Sequence, residues 1–218
     1  MTKTWFNPGC ALSIYKPQME NAVLGLLNTH YGDVALHKIC CHHDPQLEAG
    51  SLIINVCPGC DKRFSSLYEG ISTVSIWEVF DGLAAFPYPE YGGLKVSVQD
   101  ACPVREKPQV HRAVRSLLKK MSIDVVETEL WGRRSVCCGD VFYPGLPIEK
   151  VHEEMKHRAD SMPCRDVCVY CVTCIKSMHI GGKKPRHLID LLMGEATEPQ
   201  MYDTVQWHAQ LRDYIDKH

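Results

Sequence analysis

Apolar positions along the chain follow two patterns. Short apolar runs, Leu52 to Val56 and Val167 to Val169, and the strand-like Leu94 to Val98 have the length of buried strands. Met19, Val23, Leu26 and Leu27, and later Val110, Val114, Leu117 and Leu118, follow the i, i+4, i+7, i+8 spacing of one buried helical face. Pro17 and Pro108 stand at the start of these helices, where a missing N–H breaks no intrahelical bond.

Placed in order, the elements repeat. A strand-like stretch from Lys3 to Asn7 leads to Cys10 and the first helix. Val34 to Ile39 leads to Cys40-Cys41, Leu52 to Val56 to Cys57-Pro58-Gly59-Cys60, and the amphipathic Ile76 to Phe80 closes the half. In the second half, Leu94 to Val98 leads to Cys102 and the second helix, and Asp124 to Leu130 precedes Cys137-Cys138. Val167 to Val169 then leads to Cys171-Val172-Thr173-Cys174, and His187 to Leu192 closes this half. Self-similarity on this scale governs the fold. Strands alternating with helices predict an α/β fold of two pseudo-symmetric repeats, with small, largely parallel sheets flanked by helices. Every repeated cysteine falls after a strand, so the cysteine loops belong at the strand carboxyl ends, where such sheets carry their chemistry.

The Pro- and Gly-rich stretch from Phe86 to Gly93 divides the chain into repeats 1–93 and 94–218. The halves are unequal. Fifteen residues separate Cys41 from Cys57, whereas 32 separate Cys138 from Cys171 and include a helix from Pro147 to Ser161 that the first half lacks. A C-terminal helix over Met201 to Ile215, with Val205, His208, Leu211 and Ile215 on one face, is assigned to the second repeat, on its own core or a partner's.

Charge adds little. Twenty-four basic residues against 26 acidic ones leave no electrostatic footprint for nucleic acid. The N-terminal residues lack the apolar core of a secretory signal, and no stretch approaches the length of a transmembrane helix, so the expected location is cytoplasmic. In a reducing compartment twelve cysteines are read as metal or redox chemistry rather than a disulfide framework.

Each half offers five cysteines: Cys10, Cys40, Cys41, Cys57 and Cys60, then Cys102, Cys137, Cys138, Cys171 and Cys174. A tetrahedral zinc site or an ordinary cubane cluster takes four. Adjacent cysteines in extended chain also point to opposite faces, which suits one small ion poorly. An open multi-iron cluster with a bridging thiolate accommodates both features.

Asp100-Ala101-Cys102, Cys137-Cys138-Gly139 and Cys171-Val172-Thr173-Cys174 resemble the cysteine-rich CCG domain, and Pro8-Gly9-Cys10 with Cys40-Cys41 and Cys57-Pro58-Gly59-Cys60 resembles its first copy. The form it resembles most is the CCG-bearing subunit of heterodisulfide reductase. The resemblance implies two noncubane [4Fe-4S] clusters, one per five-cysteine set, facing each other across a substrate pocket. It also implies an oxidoreductase subunit in which each cluster passes one electron to a disulfide or other two-electron substrate, without an attacking protein thiol. The chain lacks the run of spaced cysteines that marks a ferredoxin domain, so electrons are expected from a ferredoxin-like or flavin-containing partner subunit. The first set departs from the pattern: His42 and His43 replace the glycine, and the spacing to Cys57 is short.

Other residues carry weaker signals. Cys164, Cys168 and Cys171 match the Cys-x3-Cys-x2-Cys spacing of radical S-adenosylmethionine enzymes, but only 47 residues follow, too few for the barrel; ordinary thiols are the plainer reading of Cys164 and Cys168. His42, His43 and Asp44 offer a proton donor beside the first pair, or simply hydrogen bonding. Arg105, Arg133 and Arg134 are placed to hold an anion or offset cluster charge, or to face solvent. Two other functions stay open: a non-catalytic electron-transfer or assembly subunit with one cluster, and a zinc-stabilised interaction module.

Overall fold

The structure, a computed structural model, describes residues 3–199 and 203–218. It is α/β and divides into two compact units: the chain up to Ala84 together with Val205–His218, and Ala85–Thr204.

The first unit runs β1 (Thr4–Asn7), α1 (Cys10–Tyr15), α2 (Gln18–Tyr31), β2 (Val34–Leu36), β3 (Leu52–Asn55), α3 (Pro58–Leu67), β4 (Ser72–Ser75) and α4 (Ile76–Asp81). Its four strands are all parallel in the order β2-β1-β3-β4, with Thr4 opposite Val34 and Leu52, and Leu52 opposite Ser72. The second unit runs β5 (Lys95–Gln99), α5 (Pro108–Lys120), β6 (Asp124–Val125), α6 (Ile148–Asp160), β7 (Asp166–Val169), α7 (Val172–Ile180), β8 (Lys184–His187) and α8 (Leu188–Leu192). Its sheet, β6-β5-β7-β8, is again all parallel. The repeat expected from the apolar pattern is therefore present at the level of topology, with α6 as the element added in the second unit.

Helices flank the central strands, which explains why their apolar residues are buried. Ile53 and Ile54 in β3, Val96 and Val98 in β5, and Val167 to Val169 in β7 are all buried. Val110, Val114, Leu117 and Leu118 of α5 are completely buried, each contributing about 1.5–3 kcal/mol of transfer free energy. Lys119 and Lys120 meet the negative end of the α5 dipole. Ser75 and Glu78 close α4 with a capping box.

The edge strands β4 and β8 escape the apolar pattern because STVS and KPRH are short and polar, as edges tend to be, and an edge tolerates Pro185. The stretch Asp124 to Leu130, expected as strand, pairs only over Asp124–Val125 and then becomes loop.

The C-terminal helix α9 (Thr204–Lys217) corrects the assignment of residues 94–218 to one repeat, since Val205–His218 pack with the first unit, and the division falls after Ala84 rather than Gly93. His218 accepts a hydrogen bond from the Cys40 N–H at 3.0 Å through its backbone carbonyl, and Ile215 packs on the cluster of Cys40, Cys41, Ile53, Cys60 and Phe64. The buried face of α9 also differs from expectation: Trp207 is buried and Val205 is exposed. Met201 lies outside the described residues. Among the described residues, no helix is long and apolar enough to cross a membrane.

Candidate metal centre

In each sheet the chain leaves the first strand toward one edge and later returns on that strand's other side, which creates a crevice at the carboxyl ends of β1 and β3, and of β5 and β7. Cys10 follows β1, and Cys57 and Cys60 follow β3; Cys102 follows β5, and Cys171 and Cys174 follow β7. Cys57 and Cys171 are the N-cap residues of α3 and α7, two helices that the sequence pattern did not reveal. The loops after β2 and β6 bring in the adjacent pairs.

All five thiols of each set meet, and they do so in the same order. Cys40 has Cys10 and Cys41 as hydrogen-bonding neighbours, and Cys60 has Cys41 and Cys57. Cys137 likewise has Cys102 and Cys138, and Cys174 has Cys138 and Cys171. None of the twelve cysteines is in a disulfide.

The neighbours shift the sulfurs in opposite directions. Cys40 is lowered first by the neighbouring Cys10 and Cys41 thiols, and Cys137 by Cys102 and Cys138 in the same way, both against their burial. Cys57 is lowered to about 7, first by the Cys60 thiol and then by backbone N–H groups of the α3 N-terminus, against its burial. Cys41 is pushed up to about 12, first by its Cys40 neighbour, and Cys10, Cys60, Cys102, Cys138 and Cys174 are raised by neighbouring thiols and by burial.

Two glycines permit these approaches. Gly9 has φ +76°, and a Cβ there would lie 2.9 Å from the Cys57 Cβ and 3.3 Å from the Cys60 Sγ. Gly139 has φ +101°, and its Cβ would lie 2.6 Å from the Met155 backbone nitrogen on α6. That contact explains the departure at the first pair: without a counterpart of α6, nothing crowds the residue after Cys41, and His42 fits there exposed.

The second set is fastened by side chains that periodicity did not single out. Asp100, wholly buried, accepts from both terminal nitrogens of Arg115 at 2.8 Å, from the Gly132 N–H at 2.7 Å and from the Tyr170 hydroxyl at 3.0 Å. Its carbonyl accepts from the Ser135 hydroxyl at 2.7 Å, which fixes the loop leading to Cys137. Arg158 is buried and, among the described residues, donates only to neutral acceptors, Gln99 Oε1 at 2.6 Å, the Leu130 carbonyl and Ser161 Oγ, while its charge lies near Asp100 first and then Cys174, Cys138 and Cys137. Lys176, also buried, pairs with Asp140. The signals for these two were a charge at a buried position of the α6 stripe and a lysine flanked by Ile175 and Met178 in a largely buried helix.

A cavity of ≈300 Å³ opens beside Cys137, lined by Leu130, Val136, Phe142, His157 and Arg158 among others. The space beside Cys10, Cys40, Cys41 and Cys60 is only ≈10 Å³, with Tyr214 of α9 on its wall.

The remaining candidates are placed differently. His43 contacts the Ile215 carbonyl at 2.7 Å, a tie to α9, and Asp44 accepts from the Gln46 N–H. Arg105 donates to the Ser135 carbonyl, Arg133 pairs with Glu106, and Arg134 is exposed. Cys168 is buried in β7 and Cys164 receives no sulfur neighbour; neither joins the five-thiol chain.

No family model and no curated protein matches the chain. The likeness to the CCG pattern therefore stands on these cysteines and their spacing. Among the described residues, no three His, Cys, Asp or Glu side chains are grouped as the ligands of a single ion. The sulfurs are strung pairwise instead, five in contact, reduced and largely buried. That donor set fits a group with several thiophilic metal atoms better than one ion.

Proposed function

We propose that this chain is an iron–sulfur redox subunit of the CCG-domain kind, which takes electrons from a ferredoxin-like or flavin-containing partner and passes them singly to a disulfide or another two-electron acceptor. Cys10, Cys40, Cys41, Cys57 and Cys60 are assigned to one noncubane [4Fe-4S] cluster, and Cys102, Cys137, Cys138, Cys171 and Cys174 to the other. The observation that carries this reading is the identical order of sulfur contacts in the two sets. Two unrelated buried-thiol sites have no reason to share it.

When bound, such clusters supply one-electron reduction; a disulfide takes up two electrons and two protons to become two thiols. The chain's own contribution is to hold ten sulfurs at two strand crevices, with Arg158 offsetting negative charge at the second set. The cavity beside Cys137 has the size of a small-molecule site, and Leu130, Val136 and Phe142 give it apolar walls.

A second reading is favoured by the ≈10 Å³ space and short loop at the first set: only the second set is loaded, and the chain serves in electron transfer or assembly. Anaerobic purification followed by iron, acid-labile sulfide and zinc analysis separates the readings. About eight irons per chain support two clusters, about four support one, and zinc without sulfide sinks the iron–sulfur assignment.

A further inference from the structure

A separate cavity of ≈370 Å³ lies in the second unit, formed where α5 meets the turn Gly132–Arg134, and no cysteine lines it. Its walls include Pro108 and Trp131, and four arginines surround it: Arg112, Arg115, Arg133 and Arg134. Two of these charges are spent. Arg115 is held by Asp100 and Glu127, and Arg133 pairs with Glu106 at 2.6 Å, both of these side chains about 70% exposed. Arg112 and Arg134 have no side-chain hydrogen bond or ion pair with the described residues.

His111 also lines the cavity. It is 4% exposed, and its Nε2 is buried without a hydrogen-bond partner. A buried ring nitrogen left unpaired is costly unless something supplies its partner. Trp131 is held from one side by Arg115, whose Cζ lies 5.3 Å from the ring centroid, and is still 43% exposed. Apolar walls, an exposed aromatic ring and two uncommitted guanidinium groups form a complementary set: the ring offers a stacking surface, and the guanidinium forks match a tetrahedral oxyanion.

We propose that this cavity binds a small organic oxyanion, a flat apolar body carrying a phosphate or sulfonate group, with the body against Trp131 and the anionic group held by Arg112 and Arg134. No cysteine takes part in the site, whose Gly132–Arg134 turn leads on to Cys137.

Phenyl phosphate is the probe, with phenol as the body alone and inorganic phosphate as the charge alone. Titration calorimetry on the full chain is expected to show phenyl phosphate binding at least about tenfold more tightly than either control, the scale of one charge-assisted hydrogen bond or one stacked ring. In the R112A/R134A variant, whose changes are exposed and leave no structural bond broken, affinity is expected to fall at least about tenfold, with circular dichroism unchanged. The R112K/R134K variant retains an intermediate affinity, since lysine keeps the charge and loses the fork. Trp131→Phe keeps binding while removing the fluorescence change that phenyl phosphate produces in the parent. The proposal is overturned by no binding of phenyl phosphate, by equal affinity for phenol or for inorganic phosphate, or by an affinity that R112A/R134A leaves unchanged.

Discussion

Around Cys137 and Cys138 the chain packs a helix of 13 residues, a left-handed glycine, a buried arginine and a buried lysine. Around Cys40 and Cys41 it packs α9 from the far end of the chain, and Asp61 is buried next to Cys60. The sulfur order is the same in both places, so the shared βα topology is sufficient to gather the thiols. What lies behind them is free to differ, and with it the local charge. The second set has Arg158 and Lys176 nearby and opens on a cavity of ≈300 Å³; at the first set Asp61 raises the Cys57 thiol's cost of ionising, and the space is ≈10 Å³. The second unit therefore has room for a small molecule beside its thiols, whereas the described residues around Cys10, Cys40, Cys41 and Cys60 leave ≈10 Å³.

The comparison breaks most sharply at the metal. Cys41→Ser and Cys138→Ser, made separately, are each expected to lose about half of the iron and sulfide of anaerobically purified protein, roughly four irons of eight. Loss from Cys138→Ser alone assigns the cluster to the second set only. Unchanged iron and spectrum in both sinks the adjacent pairs as ligands.

Asp100→Ala comes next. Asp100 has no counterpart in the first unit, where Pro8 occupies the matching position, and its removal leaves Arg115 partly unpaired and frees the loop before Cys137. Urea unfolding is expected to show a loss of about 4 kcal/mol in the second unit. Burial works to raise the Asp100 carboxyl, but Arg115 and the Gly132 N–H outweigh it and hold it below its ordinary range. A carboxyl so depressed stabilises the fold at neutral pH, and that contribution disappears as the pH falls from about 4 through the lowered folded value. In the variant this part of the acid sensitivity is absent.

Gly139→Ala tests the backbone difference. A side chain at φ +101° and 2.6 Å from Met155 is expected to cost about 3 kcal/mol, whereas His42→Ala, at the exposed matching position, stays within about 0.5 kcal/mol. Equal effects at the two positions would remove α6 as the reason for the glycine.

The smallest effect is at the C-terminus. Ile215→Ala trims a half-buried contact on the Cys40–Cys41 cluster and is expected to cost about 1 kcal/mol. Hydrogen exchange should quicken at β1 and β3 and stay as it was at β5 and β7. Equal quickening in both units would contradict the assignment of α9 to the first.

Much of this could be read along the chain because it is local. Runs such as Leu52 to Val56 and the stripe of α5 reflect burial directly, and a cysteine after each strand reflects where a parallel sheet turns its chain. The helices α3 and α7 were hidden because the first begins with Pro-Gly-Cys and has only Phe64 and Leu67 as large apolar residues, and the second is buried on nearly every side with Thr173, Lys176, Ser177 and His179 interleaved among its apolar residues, so neither shows a clean stripe. The polar edge strands β4 and β8 gave no apolar signal for the same kind of reason.

The number of cysteines, their order and the repeat that carries them are properties of the sequence by itself, and so are the strands and amphipathic helices between them. Tertiary structure alone decided that Cys40 and Cys137 each meet two thiols, that α9 closes on the first set, and that Asp100 and Arg158 stand behind the second. The physical reason is range. Periodicity records whether a residue is buried, whereas a hydrogen bond between residues 59 positions apart, as from Arg158 to Gln99, exists only once two distant segments have been packed together.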